Sequence, residues 1–199
     1  PNVNSVLRLK KEIWPLIRKE LPQAQLYIYG AYAPQQILEL HNEKEGFLVE
    51  GWVKDVSKVL KRARVCLAPI EFGAGLKGKL LDAMLCGTPS VTTSVGSEGM
   101  HGDFSFAGSV EDDSHEFARA SVALYRDHKL WLKYQQYGFV IIENRFQKHL
   151  FSKAFKELLI NLQKDITAHR ERNYIGQVLQ HHTLQSTRYL SKWIEEKNR

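Results

Sequence analysis

The residues best suited to chemistry lie in one short run of glycines and lysines. Gly73, Gly75 and Gly78 alternate with Lys77 and Lys79 in the segment GAGLKGK. Glycine lets a backbone pass close to a ligand or adopt positive φ, and the two lysines add full positive charges. A helix that begins at the end of this run would also present free N–H groups and the positive end of its dipole. Together these features predict a site for phosphate groups.

Two general nucleotide motifs match this run without their usual surroundings. The run satisfies G-x-x-x-x-G-K of the P-loop, but Leu80 stands where that motif needs Ser or Thr to bind magnesium. It also satisfies G-x-G-x-x-G of the dinucleotide-binding fold. That motif belongs to the first βα turn, and an acidic residue ends the next strand. Here the next predicted strand ends in Thr92 and Thr93, so both matches lack their structural context.

The elements around this run alternate between strand and helix patterns over the first 110 residues. Short apolar runs predict strands in AQLYIYG, GFLVEGW, VCLAP, PSVTT and FSFAGS, with helical spacing between them. We expect Pro15 to kink or restart the first helix, Asp55 to cap a helix, and Gly87 to end the helix after the glycine-lysine run. Such alternation is typical of a parallel sheet with right-handed crossovers. The predicted class is therefore α/β, a Rossmann-like parallel sheet of four or five strands with flanking helices.

The domain organisation follows from where these patterns change. After Asp112 the pattern is helical to the end, and the apolar spacing thins near residues 163–173. We therefore predict a partial Rossmann-like domain over residues 1–165 and a basic helical C-terminal extension over 166–199. The sequence opens on a helix pattern, whereas a doubly wound domain opens on a strand, so we expect the first strand of the sheet to precede Pro1. The glycine-lysine run follows VCLAP directly, which predicts that it lies at the carboxyl end of the strands, where such sheets bind ligands.

The run from Pro69 to Gly99 resembles the donor-site signature of retaining GT-B glycosyltransferases of the glycosyl transferases group 1 type. In that family a G-x-G-x-K loop opens a helix of pattern L-E-A-hydrophobic, followed by G-x-P-V-V-x-T and a second glycine loop. Here the corresponding elements read GAGLKGKLLDAML, GTPSVTT and VGSEG, and the resemblance covers roughly residues 1–145. It implies the C-terminal, donor-binding half of a GT-B fold. It also implies an enzyme that transfers a sugar from a UDP- or GDP-type donor to an acceptor held by an N-terminal domain, so this chain alone is expected to be inactive.

The resemblance implies roles for the residues of the first loop. Lys77, at an expected exposed loop edge, and the amides of Gly73 and Gly75 would contact the diphosphate, with Lys79 as a second candidate. Because negative charge builds up on the leaving diphosphate, the two lysines would take the catalytic role of stabilising it. Asp82 matches the second carboxylate of the family's Glu-x7-Glu pattern and would bind ribose hydroxyls. Ala74 stands where the first carboxylate belongs, so the resemblance supplies no contact to the donor sugar there.

The other implied contacts come from two further loops. The second glycine loop would face the same phosphate or sugar groups through Gly96, Ser97, Glu98 and Gly99. Val53 matches a position where backbone groups read the edge of the base, and the neighbouring Trp52 fits either the core or a platform for that base. No cofactor is expected besides the donor itself. No acidic pair suited to a metal is visible, and GT-B enzymes usually manage without one, so we expect metal-independent chemistry.

The charge of the chain is concentrated at its C-terminal end. The net charge is +6, and residues 145–199, with 11 Lys/Arg and 5 Asp/Glu, carry all of it. A basic helical tail suits contact with anionic lipid, nucleic acid or an acidic neighbouring domain, and a solvated helix face is the alternative. Two other function classes stay open: a non-catalytic nucleotide-binding module, and a helical protein that contacts polyanions or membranes. The partners we expect are the sugar donor and an acceptor domain, with membrane contact as a further option and no nucleic acid.

The composition excludes several classes and suggests a location. It fits a globular domain rather than a collagen-like, disordered or disulfide-rich chain. No apolar run reaches the roughly 20 residues of a membrane helix, and no signal-peptide pattern is visible. Cys66 and Cys86 lie in apolar segments without metal-type spacing, which favours reduced thiols over a disulfide. We therefore expect a cytoplasmic protein, with association at the membrane surface left open.

Overall fold

The structure is a computed structural model that describes residues 2–197, except for the side chains of residues 179–185. The chain divides into two compact units, Pro1–Gln147 and Lys148–Arg199. The predicted boundary between residues 165 and 166 lies inside the second unit, where Asp165 separates two of its helices. The assignment of functional domains on either side of that boundary stays a prediction.

Five strands are found among the described residues: four lie within the predicted apolar runs, and the fifth overlaps the run FSFAGS only at residues 108 and 109. β1 (Leu26–Tyr29) pairs with β2 (Phe47–Gly51) in a two-stranded parallel sheet. β3 (Cys66–Ala68), β4 (Ser90–Thr92) and β5 (Gly108–Val110) form a second parallel sheet in the order β3-β4-β5. The expectation of a single sheet is therefore wrong for the described residues, because no ladder of hydrogen bonds joins the first pair of strands to the other three.

Helices alternate with these strands and continue beyond them. In the first unit they are α1 (Asn2–Arg8), α2 (Trp14–Glu20), α3 (Gln35–Leu38), α4 (Val56–Leu60), α5 (Gly78–Leu85), α6 (Ser94–Ser97), α7 (Ser114–Arg126) and α8 (His128–Ile141). A π-helical segment, Leu9–Ile13, joins α1 to α2, and Pro15 lies in the first turn of α2. Because proline has no N–H to bond back to the preceding turn, it is tolerated only near a helix start. The backbone stays helical from Asn2 to Glu20, so the helix does not restart at Pro15; its type changes from π to α at the preceding residue, Trp14. A second π-helical segment, Ile142–Phe146, follows α8.

One apolar cluster packs against both sheets. It combines residues of the strands with residues of the first helices and of α7: Leu26, Ile28, Phe47, Leu67, Val91, Ile13, Trp14, Ile17 and Phe117. A second cluster lies under α5 and combines Ala68, Leu80, Met84, Met100 and Ile141. Leu80 and Met84 are fully buried in it, so α5 is held firmly against the second sheet.

The second unit consists of helices only. These are α9 (Lys148–Lys164), α10 (Ile166–Arg172) and α11 (Tyr174–Lys197), which confirms the predicted helical pattern of the C-terminal part. Within the described residues, no helix is both long and apolar enough to span a bilayer.

Candidate functional site

The glycine-lysine loop lies between the carboxyl end of β3 and the first turn of α5, as predicted. Gly75 has φ +74°, a conformation that residues with side chains rarely adopt, and a Cβ built on it would meet no atom within 4 Å. The backbone of the loop is therefore open to its surroundings. The N–H groups of Gly78 and Lys79 make no hydrogen bond with any described residue, so the start of α5 offers unsatisfied donors of the kind that bind anions.

Lys77 is the N-cap residue of α5, and it is buried. Only 7% of its surface is exposed. Its ammonium donates a hydrogen bond to the carbonyl of Gly75 at 2.8 Å, and its N–H points to Sδ of Met100 at 3.4 Å. The expected exposed position of Lys77 is therefore wrong, and its ammonium is bonded to the backbone of its own loop.

Lys79 extends in a different direction. Its Nζ donates a hydrogen bond to Oδ1 of Asn2, in the first turn of α1, at 2.7 Å. The residue as a whole is exposed, but partial desolvation of its ammonium lowers the pKa of Lys79 below its ordinary value. The starts of α1 and α5 therefore lie together, and each of the two lysines is anchored to a different part of this edge.

Two buried threonines join the end of β4 to the end of β3: Thr92, the last residue of β4, and Thr93, which follows it. The hydroxyl of Thr92 donates a hydrogen bond to the carbonyl of Ala68 at 2.7 Å. The hydroxyl of Thr93 donates to the carbonyl of Ile70 and accepts from the N–H of Gly96, which caps α6. Neither threonine was predicted to have this role. The only signal in the sequence was that the fourth strand ends in two threonines.

The structure brings the two glycine loops into contact. A Cβ built on Gly99 would lie 4.0 Å from Cδ2 of Leu76, and the N–H of Lys77 points to the sulfur of Met100. Gly96 and Ser97 are buried in α6, whereas Glu98 and Gly99 are exposed. Within the described residues, the carboxylate of Glu98 has no hydrogen-bonding partner, so it is available to an outside group.

Asp82 occupies the second turn of α5 and is half-buried. Its carboxylate forms neither a hydrogen bond nor an ion pair with the part of the chain that the structure describes. Burial is the main cause that raises the pKa of the Cys66 and Cys86 thiols, and the charge of Asp82 adds to the effect. Both cysteines are free, and the raised pKa keeps them protonated.

The predicted base-binding residues belong to the other sheet. Val53 is half-buried and lies two residues beyond the end of β2. Trp52 is 69% exposed, so the core alternative for this tryptophan is wrong and the platform stays a prediction. The predicted cap is confirmed: Asp55 accepts hydrogen bonds from the N–H and the hydroxyl of Ser57, at 3.0 and 2.6 Å. Both bonds lower the pKa of Asp55, and the bond from the hydroxyl has the larger effect.

Arg8 was not recognised in the sequence, yet it connects the first loop to the end of β5. Its Nε lies 3.9 Å from a carboxylate oxygen of Glu71, and its Nη2 donates to the backbone carbonyl of Asp112 at 2.5 Å. The Asp112 carboxylate in turn accepts from the N–H of Ser94 at 2.9 Å. These are positioning residues. Arg8 and Asp112 lie 104 positions apart in the chain, and no local motif joins them.

Two other features of the surface do not alter this picture. In the part of the chain whose side chains are described, no group of three or more His, Cys, Asp or Glu side chains could hold a metal ion. Metal-independent chemistry stays a prediction. A shallow depression along α7 and α8 contains none of the predicted site residues and is lined by Ser109, Glu111, Glu116, Arg119, Leu130 and Tyr134, among others.

Comparison with known families assigns most of the chain to one of them. The model for glycosyl transferases group 1 matches residues 1–127. The chain therefore belongs to that family. A comparison with curated protein sequences found no significant match.

Solved structures show the fold. TarM from S. aureus matches with a TM-score of 0.65 at 15% identity, over 77% of this chain and 32% of TarM. The pneumococcal O-GlcNAc transferase GtfA matches with a TM-score of 0.59 at 20% identity, over 75% of this chain and 33% of GtfA. HepE from Anabaena matches with a TM-score of 0.59 at 16% identity, over 74% of this chain and 44% of HepE. The predicted Rossmann-like α/β fold of GT-B glycosyltransferases is confirmed.

The chain thus spans about a third of TarM and of GtfA, and less than half of HepE. These three proteins were each crystallised with nucleotide and sugar groups. TarM was solved with UDP and α-GlcNAc-glycerol, GtfA with UDP and GlcNAc, and HepE with UDP and glucose.

Proposed function

We propose that this chain is the donor-binding domain of a glycosyltransferase that moves a sugar from a nucleoside diphosphate-sugar to an acceptor. The acceptor site is assigned to a further, N-terminal domain. The observation that carries the proposal is the placement of Lys77. Its ammonium is held 2.8 Å from the Gly75 carbonyl, inside an open glycine loop and at the free N-terminus of α5.

The chemistry of glycosyl transfer needs a positive site at this point. As the bond between the sugar and the diphosphate breaks, negative charge accumulates on the departing diphosphate. A buried ammonium and free backbone N–H groups stabilise that charge more in the transition state than in the bound donor. Lys77, with the N–H groups of Gly78 and Lys79, supplies this combination. The Lys79 ammonium adds a second positive charge at the same edge.

The remaining site residues are proposed to contact other parts of the donor. Asp82, whose carboxylate is free in the described structure, is suited to accept hydrogen bonds from ribose hydroxyls. Glu98 and Gly99 lie on the exposed side of the second loop, where they would meet phosphate or sugar. The presence of UDP in TarM, GtfA and HepE favours UDP over GDP as the nucleotide. The reaction is proposed to need no metal, in agreement with the absence of an acidic pair in the loop sequence.

A binding experiment with the whole chain tests the proposal. UDP, GDP, UDP-glucose and UDP-GlcNAc are titrated against wild type, Lys77→Ala and, as a matched control, Lys129→Ala, an exposed lysine of α8. A charge-assisted hydrogen bond contributes roughly 1.5–3 kcal/mol, or about one to two decades in dissociation constant. Lys77→Ala should weaken UDP binding by about that factor, while Lys129→Ala should change it by less than about twofold. Because Lys77 is buried, thermal unfolding of each variant is measured as well.

If folded Lys77→Ala binds UDP as tightly as wild type does, the phosphate role of this lysine is refuted, and Lys79 becomes the residue to test. If no nucleotide binds the wild-type chain at all, the donor-site proposal itself fails. Multiple-turnover transfer of sugar by this chain alone would contradict the assignment of the acceptor site to another domain.

A second candidate, a nucleotide-binding module without catalysis, is favoured by one residue. Ala74 stands where the family pattern has a carboxylate, and it is exposed in the loop. A donor site with no acidic contact to the sugar would bind UDP and UDP-sugars with equal affinity. Tighter binding of one UDP-sugar than of UDP favours the transferase, and equal affinities for all of them favour the module.

A further inference from the structure

Arg145 lies near the end of the first unit, in the π-helical segment Ile142–Phe146, and it contacts the second glycine loop. Its Nη2 donates a hydrogen bond to the backbone carbonyl of Gly99 at 3.1 Å, across 46 positions of the chain. Its Nη1 lies so close to Gly102 that a Cβ built on this glycine would be 1.7 Å away. The guanidinium is therefore seated against the backbone of the loop and of the turn that follows it.

Packing fixes the segment that carries this guanidinium. Ile142 is buried in the second apolar cluster, and Phe146 packs against that cluster. Cζ of Arg145 lies 5.8 Å from the centre of the Phe146 ring, within the range of a cation–π interaction. The π-helical segment is thus anchored in the core, and it presents the two Nη atoms of Arg145 to the loop.

The hydrogen bond to Gly99 is the main polar contact of Arg145. Within the described residues, its Nε is buried without a partner, and no carboxylate lies within ion-pair distance of the guanidinium. A hydrogen bond from a charged donor is stronger than one between neutral groups. Removal of this donor therefore tests a single interaction, and no ion pair is lost with it.

The loop that Arg145 holds is connected directly to the start of α5. Met100, the residue after Gly99, is fully buried, and the N–H of Lys77 points to its sulfur at 3.4 Å. The N–H of Gly99 has no hydrogen-bonding partner among the described residues, so it stays available to a phosphate or sugar oxygen. A fixed Gly99 carbonyl therefore helps to fix both this N–H and the sulfur beside Lys77.

We propose that Arg145 is a positioning residue of the donor site, which locks the second glycine loop against the start of α5. It acts through Gly99 and Met100, and it makes no contact of its own with the donor. This role rests on the proposed function, in which the second loop meets the phosphate or sugar and not the nucleoside. Loss of the lock should therefore weaken binding of the diphosphate and leave binding of the nucleoside intact.

Two measurements on the whole chain test the proposal. Hydrogen exchange detected by mass spectrometry, without any ligand, reports on the amides of Glu98, Met100 and Phe104, which are hydrogen-bonded within the loop and the turn. Helix α2 is the internal reference for general loss of structure. Calorimetric titration then gives the dissociation constants of UDP and of uridine, whose difference isolates the phosphates.

Three variants are compared with wild type. Arg145→Met removes the charged donor and keeps an apolar side chain, and Arg145→Lys keeps a single charged donor. Arg119→Met is the matched control, because Arg119 is an exposed arginine of α7 outside the candidate donor site. Thermal unfolding shows that each variant is folded under the conditions of the titrations.

The expected result is a local and ligand-specific loss in Arg145→Met. Because a hydrogen bond from a charged group is worth about one to two decades in an equilibrium constant, exchange of the three loop amides should quicken by about tenfold or more. Since binding must then also order the loop, UDP should bind roughly tenfold more weakly. Exchange in α2 and binding of uridine should stay within about twofold of wild type, as should every property of Arg119→Met. Arg145→Lys should fall between wild type and Arg145→Met.

Three results would overturn the proposal. Loop exchange in Arg145→Met equal to that of wild type would mean that the guanidinium does not hold the loop. Faster loop exchange with unchanged UDP affinity would mean that the lock does not serve the donor site. Equal weakening of UDP and uridine would indicate general damage. A wild-type chain that binds no UDP would refute the donor-site proposal itself, and the exchange data, collected without ligand, would still show whether Arg145 holds the loop.

Discussion

Lys77 and Lys79 are two residues apart in the chain but differ in their surroundings. Lys77 is buried and bonded to a carbonyl of its own loop, whereas Lys79 reaches out to Asn2 at the start of α1. A diphosphate would give each ammonium an anionic partner in place of a neutral oxygen, and charged partners make stronger hydrogen bonds. In the free protein, both ammonium groups are therefore in place, and the hydrogen bonds given for them go to neutral oxygens.

The lowered pKa of Lys79 leads to a pH prediction. Desolvation disfavours its charged form, so Lys79 loses its proton at a lower pH than an ordinary lysine does. Binding of an anion requires the proton, and diphosphate affinity should therefore fall as the pH rises through the alkaline range below the ordinary lysine pKa. Lys79→Arg stays charged there and should lose less affinity. The measurement is the dissociation constant of UDP as a function of pH for wild type and Lys79→Arg. The titration of UDP itself affects both proteins equally, so it does not contribute to the difference between the two curves. Parallel curves for the two proteins would exclude a role for the Lys79 charge.

Asp82 provides a test of the ribose role that is independent of phosphate. Asp82→Asn keeps the shape of the side chain, and no described partner is lost, so the free energy of unfolding should change by less than about 0.5 kcal/mol. Binding of uridine and UDP should weaken by about tenfold, because a neutral amide accepts ribose hydroxyl protons less well than a carboxylate does. Inorganic pyrophosphate should bind the variant and wild type equally. Calorimetric titrations with the three ligands decide the matter, and a loss confined to pyrophosphate would contradict the assignment.

The site depends on how closely α6 approaches β4. A Cβ on Gly96 would lie 1.9 Å from Oγ1 of Thr92, the hydroxyl that holds the end of β3. Gly96→Ala must therefore push helix and strand apart, and overpacking of this kind costs roughly 1–3 kcal/mol. Gly78, at the start of α5, is the matched control, because a Cβ there meets no atom within 4 Å. Gly78→Ala should raise the free energy of unfolding by about 0.5–1 kcal/mol.

Urea denaturation of the two glycine variants measures both effects, and their opposite signs are the expected result. The same variants separate structure from ligand contact. If the phosphate passes close to the backbone at Gly78, the more stable Gly78→Ala protein should nevertheless bind UDP more weakly than wild type does. A Gly96→Ala protein as stable as wild type would mean that α6 moves freely on the sheet.

Local patterns were sufficient to predict most elements, but not how the elements pair. Apolar runs predicted four of the five strands and part of the fifth, and Asp55 and Gly87 were found at the helix ends expected of them. The short helix α6 was predicted as a loop, because it depends on a cap by the Thr93 side chain rather than on apolar periodicity. The separation into two sheets depends on hydrogen bonds between strands distant in sequence, which periodicity within one strand does not specify.

For the candidate site, too, the sequence predicts the local features but not the contacts between distant elements. The glycines and lysines of the first loop predict an anion site by their residue types alone, which stays a prediction, and the structure brings the two glycine loops together. Burial of Lys77 was not foreseeable, since its surroundings include Met100, a residue 23 positions away in the chain. The contact of Arg8 with Glu71 likewise joins two elements of the fold. Contacts of this type depend on tertiary structure and leave no local trace in the sequence.

The excess positive charge and the candidate donor site belong to different parts of the chain. Every candidate donor-site residue lies in the unit Pro1–Gln147, whereas α9 and nearly all of the excess positive charge belong to Lys148–Arg199. The contacts that hold the site, such as those of Lys77 with Gly75 and of Lys79 with Asn2, are made within the first unit. The candidate donor site should therefore survive removal of the second unit.

A protein ending at Gln147 tests that separation. Because the two core clusters lie within residues 1–147, it should fold cooperatively and bind UDP within about twofold of the full chain. Thermal unfolding and calorimetric titration with UDP measure the two properties on one preparation. If the shortened protein is folded but binds UDP more than tenfold more weakly, the second unit contributes to the donor site.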